Sequence, residues 1–325
     1  MPQSIDSKDR AIIYQLDLDA RQSVSRLSKK VKLNRRVVCY RIERMQKQGI
    51  LQKFLLFVNI PKTGYIVTTI FSRFHDTQLK DEEVIIDYLK KKKQVGWLAS
   101  MDGRFHVGFS IYCKNIKEAT EFFDEFRDTY GHFLSDIQTA NTVMAWRFPR
   151  KYLCDGDCEE KGSPPKDAAF KLEELDQTDR KILAALGEDA RMRAVEIARK
   201  AGVSADAVAD RISKLKGSGV IYRLGIILDN LSLNRRLFRT FITFQNLNKV
   251  KEKFLNYCYE HPNAIQLKRM LGSWEWEVDL EVKDETELRR INSEFKEHFK
   301  DAVSATSFVT IYKIHKFDMG GFLLD

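Results

Sequence analysis

The clearest chemistry in this 325-residue sequence lies in a basic segment between residues 31 and 53. The segment contains seven lysine and arginine residues and one acidic residue, Glu43. Arg35 and Arg36 stand together, and Tyr40 follows four residues after Arg36. A guanidinium group pairs with phosphate oxygens or with the edge of guanine through two parallel hydrogen bonds. The segment therefore predicts a surface that binds a polyanion, although an ordinary solvated face is the alternative interpretation.

Other candidates for reactive chemistry are few. No Gly-rich phosphate loop, pair of catalytic carboxylates or Ser/His/Asp order stands out, so we predict no catalytic residue and no enzyme. The five cysteines are scattered and odd in number, which fits a reducing compartment better than a disulfide scaffold. Cys154 and Cys158 could supply two zinc ligands, but no second pair follows at a suitable distance. We therefore expect no metal and no cofactor.

Composition and charge fit a globular protein with a polyanionic partner. The formal net charge is +9, and 43% of the residues are hydrophobic. No apolar run approaches the roughly 18–20 residues that span a bilayer. The N-terminus lacks the basic region and apolar stretch of a secretory signal. We predict a cytoplasmic protein that makes no membrane contact.

The sequence contains an internal repeat. Residues 5–10 recur as residues 175–180, within a correspondence of roughly fifty residues that needs no gap. The copies drift apart further on and then realign, so that Gly103 corresponds to Gly272. Such a correspondence indicates that a folded unit was duplicated, and that the chain consists of two related halves.

Each half begins with three amphipathic helical patterns. Asp6 and Asn34 stand where N-caps belong for the first and third helices, as do Asp176 and Ser204 in the second copy. The turn before Asn34 is short, so the second and third helices must cross sharply. This arrangement is typical of a helix-turn-helix, whose last helix can enter the major groove of DNA, although a small helical bundle shows the same pattern. Gly49 ends the third helix, and the apolar strand that follows is consistent with a wing.

The periodicity changes to two after each helical unit. Strand-like and helix-like runs then follow in the order βαββαβ, which predicts a ferredoxin-like domain in each half. The fold class is thus α+β, with two winged helix-turn-helix domains alternating with two ferredoxin-like domains. The predicted segments are 1–52 (first winged helix-turn-helix), 53–149 (first ferredoxin-like domain), 150–172 (linker), 173–222 (second winged helix-turn-helix), 223–318 (second ferredoxin-like domain) and 319–325 (tail).

An ordered set of residues in the helical units resembles the leucine-responsive/asparagine regulator (Lrp/AsnC) family, in the tandem-duplicated form of archaeal members. Most of the set recurs in the second half, and in the first it consists of Asp6, Asp9, Ile12, Asp19, Ala20, Arg21, Val38, Arg41, Ile42, Gly49 and Ile50. The resemblance implies a transcription regulator that binds double-stranded DNA. It also implies that the ferredoxin-like domains sense a ligand and pair sheet to sheet, either between chains in a homo-oligomer or within this chain as a pseudo-dimer.

The resemblance further implies an amino-acid-like effector near a glycine turn that is followed by an aromatic residue and usually an aspartate. The matching positions in the two halves are Gly103, Phe105, His106, Gly272, Trp274 and Glu275. His106 and Glu275 replace the aspartate, and a histidine cannot supply the carboxylate that an effector's ammonium group needs. The alternative is that these glycines form tight hairpin turns and nothing more.

The two copies differ at the start of the third helix. Where the first copy has Arg35 and Arg36, the second has Ala205 and Asp206, and an aspartate repels phosphate. Arg41 recurs in the second copy, so it serves packing or a shared phosphate contact more than discrimination between sequences. We predict that DNA contact is made mainly by the first copy, through Lys32, Asn34, Arg35, Arg36, Tyr40, Arg41, Arg44 and Lys53.

Two other functions are alternatives. Sirohaem decarboxylases have the same duplicated architecture and use a histidine and basic residues in the sensing fold, a role that His106 could fill. Their Tyr-Asn-x-Trp-Phe-like stretch is absent here, and a decarboxylase has no use for a basic recognition helix. A protein-binding adaptor, the second alternative, would show no salt-dependent DNA binding.

Overall fold

A computed structural model describes residues 5–154, 171–245, 247–300 and 302–324. The two halves have the same order of elements. In the first half these are α1 (Ser7–Leu18), α2 (Val24–Val31), α3 (Arg35–Lys47), β1 (Leu51–Val58), β2 (Ile66–Phe74), α4 (Leu79–Lys91), β3 (Val95–Gly103), β4 (Val107–Cys113), α5 (Ile116–Tyr130) and β5 (Leu134–Arg147). In the second half they are α6 (Gln177–Glu188), α7 (Ala194–Ala201), α8 (Ala205–Gly217), β6 (Ile221–Leu228), β7 (Arg236–Phe244), α9 (Leu247–Glu260), β8 (Ala264–Gly272), β9 (Trp276–Val282), α10 (Glu285–His298) and β10 (Val303–Phe317).

The four predicted N-caps are confirmed. The Asp6 carboxylate accepts the N–H of Asp9, whose own carboxylate accepts the N–H of Asp6, and the second half repeats this capping box at Asp176. The side chains of Asn34 and Ser204 accept N–H groups in the first turns of α3 and α8. These short-range bonds define where the helices begin, which is why the sequence predicts them well.

The two helix-turn-helix units are joined to each other. Strands β1 and β6 follow α3 and α8, as the wing prediction requires, but they pair antiparallel across the halves in a two-stranded sheet. Arg21 donates to the carbonyl groups of Ala190 and Met192, over 2.9 and 2.7 Å. Its counterpart Arg191 donates in return to the carbonyl groups of Ala20 and Gln22. This reciprocal contact relates the two units by a pseudo-twofold axis.

The eight remaining strands form a closed barrel. Each half contributes a sheet of ferredoxin-like order, β3-β4-β2-β5 in the first half and β8-β9-β7-β10 in the second. Strand β5 pairs with β8 and strand β10 pairs with β3, so both sheet edges are satisfied within the chain. The prediction of two helix-turn-helix units and two ferredoxin-like domains is confirmed, and the two sheets pair within one chain.

A central aromatic cluster packs between the two sheets. It consists of Phe71, Phe105, Phe241 and Trp274, whose ring centroids lie 4.5–6.2 Å apart. Separate apolar clusters lie under α4 and α5 on one sheet, and under α9 and α10 on the other. The barrel is therefore a filled core, and it fixes the position of one half against the other.

Most of the predicted linker, including Cys158, lies outside the described residues. The first residues of this segment are packed rather than exposed, with Arg150 only 3% exposed and Leu153 only 4%. Arg150 pairs with Asp17 near the end of α1 and with Glu281 of β9, so it ties a helix-turn-helix unit to the barrel. The sequence analysis assigned residues 150–153 to the linker because so short an irregular stretch carries no periodic pattern.

The described parts of the chain contain neither a membrane-spanning helix nor a cluster of metal ligands. Within them, every helix is too short or too polar to cross a membrane. No three His, Cys, Asp or Glu side chains there form a group that could hold a metal ion. Cys154, the member of the pair considered for zinc that lies within the described residues, is half-buried.

Candidate nucleic-acid interface

The start of α3 presents a basic surface. Lys32, Arg35 and Arg36 are all exposed, and Tyr40 is 63% exposed one turn further along the helix. Within the described parts of the chain, neither arginine forms an ion pair, and Lys32 forms none either. Backbone N–H groups and the positive end of the helix dipole point the same way at a helix N-terminus. This surface, together with Asn34, can donate hydrogen bonds to the phosphate oxygens of a nucleic acid.

Arg41 and Arg44 are held by carboxylates of α1 and its cap. Arg41 Nη1 lies 2.7 Å from Asp6 Oδ2 and 2.9 Å from Asp9 Oδ1, and Arg44 Nη2 lies 2.5 Å from Asp9 Oδ2. Burial raises the pKa of Asp6, but hydrogen bonds from Arg41 and the backbone outweigh it and hold the pKa below its usual value. Arg211 makes the same contacts in the second half. The shared arginine thus ties the third helix to the first.

Lys53 lies away from the start of α3. Its Nζ donates to the carbonyl of Phe317 over 3.1 Å, at the end of β10. Burial lowers the pKa of this ammonium group. Of the eight residues predicted to contact DNA, the structure brings five together at the start of α3 (Lys32, Asn34, Arg35, Arg36 and Tyr40) and engages the other three elsewhere.

The equivalent surface of the second half has the opposite character. Helix α8 begins at Ala205 and Asp206, and Asp210 takes the place of Tyr40. Both aspartates are exposed. Two negative charges thus stand where the first half has two positive charges and an aromatic ring. The pseudo-twofold axis therefore relates a basic helix start to an acidic one.

The two glycine turns bring their aromatic residues together, but in the core. Gly103 and Gly272 end β3 and β8 with φ of +113° and +154°. Phe105 is fully buried and Trp274 is 3% exposed, and their ring centroids lie 6.2 Å apart in the central aromatic cluster. These rings hold the two halves together, a role that the sequence analysis missed.

His106 and Glu275, at the aspartate position, have matching structural roles. His106 Nδ1 accepts the N–H of Phe74 over 3.1 Å, and Glu275 Oε2 accepts the N–H of Phe244 over 2.8 Å. Phe74 and Phe244 are the last residues of β2 and β7. Each side chain therefore satisfies an N–H group at the end of a strand.

Comparisons with known proteins agree with this geometry. A model of the AsnC-type helix-turn-helix domain matches residues 5–46 and again residues 175–216. An uncharacterized HTH-type transcriptional regulator of Pyrococcus furiosus is 35% identical over 119 residues, which make up 36% of this chain and 79% of that protein. The glutamate uptake regulatory protein of Zymomonas mobilis is 30% identical over 122 residues, 37% of this chain and 74% of that protein. Each relative thus has about the length of one half.

A solved structure is similar over nearly the whole length. The siroheme decarboxylase NirDL aligns with 96% of this chain and 93% of its own, with a TM-score of 0.59 and 13% sequence identity. At this identity the likeness concerns the fold alone. It shows that two helix-turn-helix units and two ferredoxin-like domains also occur together in another solved chain.

Proposed function

The chain belongs to the Lrp/AsnC family and is a DNA-binding transcription regulator, and on that premise we propose that it contacts its DNA site mainly through α3. The observation that carries this proposal is the opposite charge at the starts of α3 and α8. Arg35 and Arg36 are exposed and have no carboxylate partner among the described residues, whereas the second half offers Asp206 and Asp210. The second helix-turn-helix supports the assembly more than it reads DNA.

The rigid connection between the two units supports this division of labour. Because β1 pairs with β6 and Arg21 and Arg191 bond across the axis, α8 is held at a fixed position relative to α3. An aspartate near a phosphate costs binding energy, while each guanidinium contact releases counterions. DNA bound to α3 therefore gains little binding energy from contacts with α8. A DNA ligand supports a cytoplasmic location, which we include in the proposal.

The variant Arg35→Ala/Arg36→Ala tests the proposal. We expect it to lose at least about thirtyfold in DNA affinity, because two phosphate or base contacts are worth roughly 1–3 kcal/mol each. The slope of log affinity against log salt should also fall in magnitude by about two. Fluorescence anisotropy with duplex DNA at several salt concentrations measures both quantities.

Lys214→Ala is the matched control, because Lys214 is an exposed cation on α8. It should change affinity and salt slope little. Equal losses in the two variants would show that both helices bind DNA alike. An unchanged affinity in the α3 variant would mean that its arginines are a solvated face.

We further propose that the protein is a regulator rather than an enzyme. His106, the residue that an enzymatic role would need, spends Nδ1 on the N–H of Phe74 and packs beside the Phe74 ring. An iron-uroporphyrin probe should therefore leave the visible absorbance of the mixture equal to the sum of its parts. A shifted absorbance band that disappears in His106→Gln would favour decarboxylase-like chemistry.

We also propose that an amino-acid-like effector binds at the glycine turns. Such a ligand would compete with the N–H groups of Phe74 and Phe244 for His106 and Glu275. Glu275 also lies 3.9 Å from Arg269. An effector's ammonium group would therefore bind at the second turn, where a carboxylate is available, more readily than at the first.

A further inference from the structure

A cavity of about 90 Å³ lies between the β1–β6 sheet and the barrel. Its walls come from both halves, with Phe57 and Tyr222 on the paired strands and Trp97, Arg239 and Lys268 on barrel strands. One water molecule fills roughly 10–15 Å³ of such a volume, so the cavity has room for about six to nine non-hydrogen atoms. A small organic molecule fits this space.

Charged side chains of the second half stand in and beside this cavity. Arg239 is bonded to Asp279 through two hydrogen bonds of 2.7 and 2.8 Å. Lys268 Nζ lies 3.2 Å from Glu277 Oε2. Arg239, Asp279 and Glu277 are each less than 5% exposed. Buried ion pairs of this kind seldom stabilise a fold more than neutral residues of similar volume would.

The first half builds the same strands without these charges. At the positions of Arg239 and Asp279 it has Thr69 and Ser110, which occupy the same paired positions on β2 and β4. Their hydroxyl oxygens are 2.8 Å apart. Ala99 stands in the place of Lys268. The fold therefore does not require the charged set, which points to a ligand.

Several donors that line the cavity have no hydrogen-bond partner among the residues that the structure describes. They are Arg239 Nη1, Arg147 Nε and the hydroxyl of Tyr222. Arg239 is only 2% exposed, and Glu277 Oε2 stands 3.4 Å from its Nη1. A buried donor without a partner costs about 1–3 kcal/mol. Three such donors around one space indicate that an acceptor group belongs there.

The charged groups around the cavity also carry an excess of one positive charge. Four carboxylates face five cations, a set made up of Asp17, Glu277, Asp279, Glu281, Arg147, Arg150, Arg223, Arg239 and Lys268. Burial and the charge of Arg239 lower the pKa of Lys268. One negative charge would complete the set. Much of the rest of the wall is apolar, with Ile311, Ile314 and Phe317 among its residues, and a few uncharged polar side chains complete it.

We propose that this cavity binds a small monocarboxylate, whose carboxylate accepts hydrogen bonds from Arg239, Arg147 and Tyr222. The apolar body of the ligand packs against Phe57 and Phe317. This site lies apart from the glycine turns, none of whose six candidate residues lines the cavity. It does not rest on the DNA contact proposed for α3 and would stand if that contact failed.

Calorimetric titration of the full chain tests the ligand class. The probes are 3-methylbutanoate and benzoate, with 3-methylbutanamide and benzamide as neutral counterparts of the same shape. We expect at least one carboxylate to bind and its amide to bind at least tenfold more weakly. Absence of binding by both carboxylates, or equal affinity for acid and amide, would overturn the proposal.

Two variants locate the binding. Arg239→Thr/Asp279→Ser installs the pair that the first half already uses, and it should lower carboxylate affinity at least tenfold. Tyr222→Phe removes only an unpaired hydroxyl, so it should keep the protein folded while lowering affinity about threefold or more. Arg236→Gln changes an exposed arginine of the same strand and should bind like the wild type.

Circular dichroism and the thermal midpoint report whether each variant folds. Unchanged affinity in a folded Arg239→Thr/Asp279→Ser protein would overturn the proposal. If that variant fails to fold, unchanged affinity in Tyr222→Phe would do the same.

Discussion

Lys32 holds a backbone conformation for which the second half uses glycine. It caps α2 with φ of +53°, in the left-handed region, where Gly202 stands in the other unit with φ of +76°. A residue with a Cβ atom is strained there, by on the order of 1 kcal/mol or more. The strained lysine lies beside the basic start of α3. The lysine at this position thus lowers the stability of the fold. Residues that serve binding often do so.

Lys32→Gly should therefore separate stability from binding. We expect the free energy of unfolding to rise by about 0.5–1 kcal/mol, since the left-handed strain is relieved. DNA affinity should fall, and the salt slope should lose about one unit of magnitude. Denaturant unfolding and anisotropy measure the two effects. Lys32→Arg keeps the charge and the strain and serves as the control, and a loss of stability in Lys32→Gly would contradict the interpretation.

The two turn glycines provide a second matched comparison. A Cβ atom on Gly272 would stand 2.6 Å from the carbonyl oxygen of Thr139 and 2.7 Å from Ala140 Cα, where β5 and β8 pair. On Gly103 the nearest atom would be 3.3 Å away. Both positions have positive φ, so both alanine variants carry backbone strain of roughly 1–3 kcal/mol. The neighbouring strand must move further at Gly272 than at Gly103, where a few tenths of an ångström suffice.

We expect Gly272→Ala to lower the free energy of unfolding by at least about 1 kcal/mol more than Gly103→Ala does. Chemical denaturation of the two variants side by side measures the difference. Equal losses would mean that β5 and β8 part easily at this edge.

Between elements, the reciprocal arginines hold the helix-turn-helix units together. Arg21 and Arg191 each donate to two carbonyl groups of the opposite unit. The pKa of Arg21 is lowered by burial and then by the charge of Arg191, so the two guanidinium groups also repel one another. The hydrogen bonds that join the two units and the repulsion between the two guanidinium groups therefore act at the same contact.

Arg21→Ala and Arg191→Ala should each lower the free energy of unfolding by about 1–3 kcal/mol, because hydrogen bonds to charged donors are lost. The double variant should lose more than the sum of the two, since either single change already relieves the whole repulsion and the sum counts that relief twice. Arg26→Ala, on an exposed position of α2, should have little effect. A double-variant loss smaller than the sum would contradict this account.

The sequence predicts what depends on neighbours along the chain. The helices, the strands and the four N-caps follow from periodicity and from residues three positions apart, and the duplication adds the order of domains. The start of α3 was also predictable, because charge and helix position lie within one short segment. The pairing of β1 with β6 joins residues more than 160 positions apart, and no local pattern encodes it.

Part of the interior charge was visible in the sequence. Glu277, Asp279 and Glu281 alternate with apolar residues along β9, which for a strand places all three on one face. Such an alternation normally indicates a solvated face, so the sequence alone favours exposure of these three carboxylates. Only the closed barrel shows that this face is buried, with Arg239 and Arg150 on its partners' side.

In the molecule as a whole, one chain contains both copies of each domain. Both sheet edges and both helix-turn-helix contacts are satisfied within it. A single chain should therefore bind an asymmetric site, with strong base preference under α3 and weak preference under α8. Selection from randomised DNA at concentrations where light scattering shows one chain per duplex measures this. Two equal palindromic arms at that stoichiometry would contradict it.

The covalent joining of the two helix-turn-helix units also matters for how this regulator can change over generations. In a dimer of identical chains one codon specifies both recognition helices, so a substitution that suits one half of an operator is imposed on the other. Here α3 and α8 have separate codons, while the paired strands β1 and β6 keep their spacing. Asp206 could therefore arise at the position equivalent to Arg36 without loss of the basic surface on α3. A mutation can thus change the recognition of one half of the operator and leave the recognition of the other half unchanged.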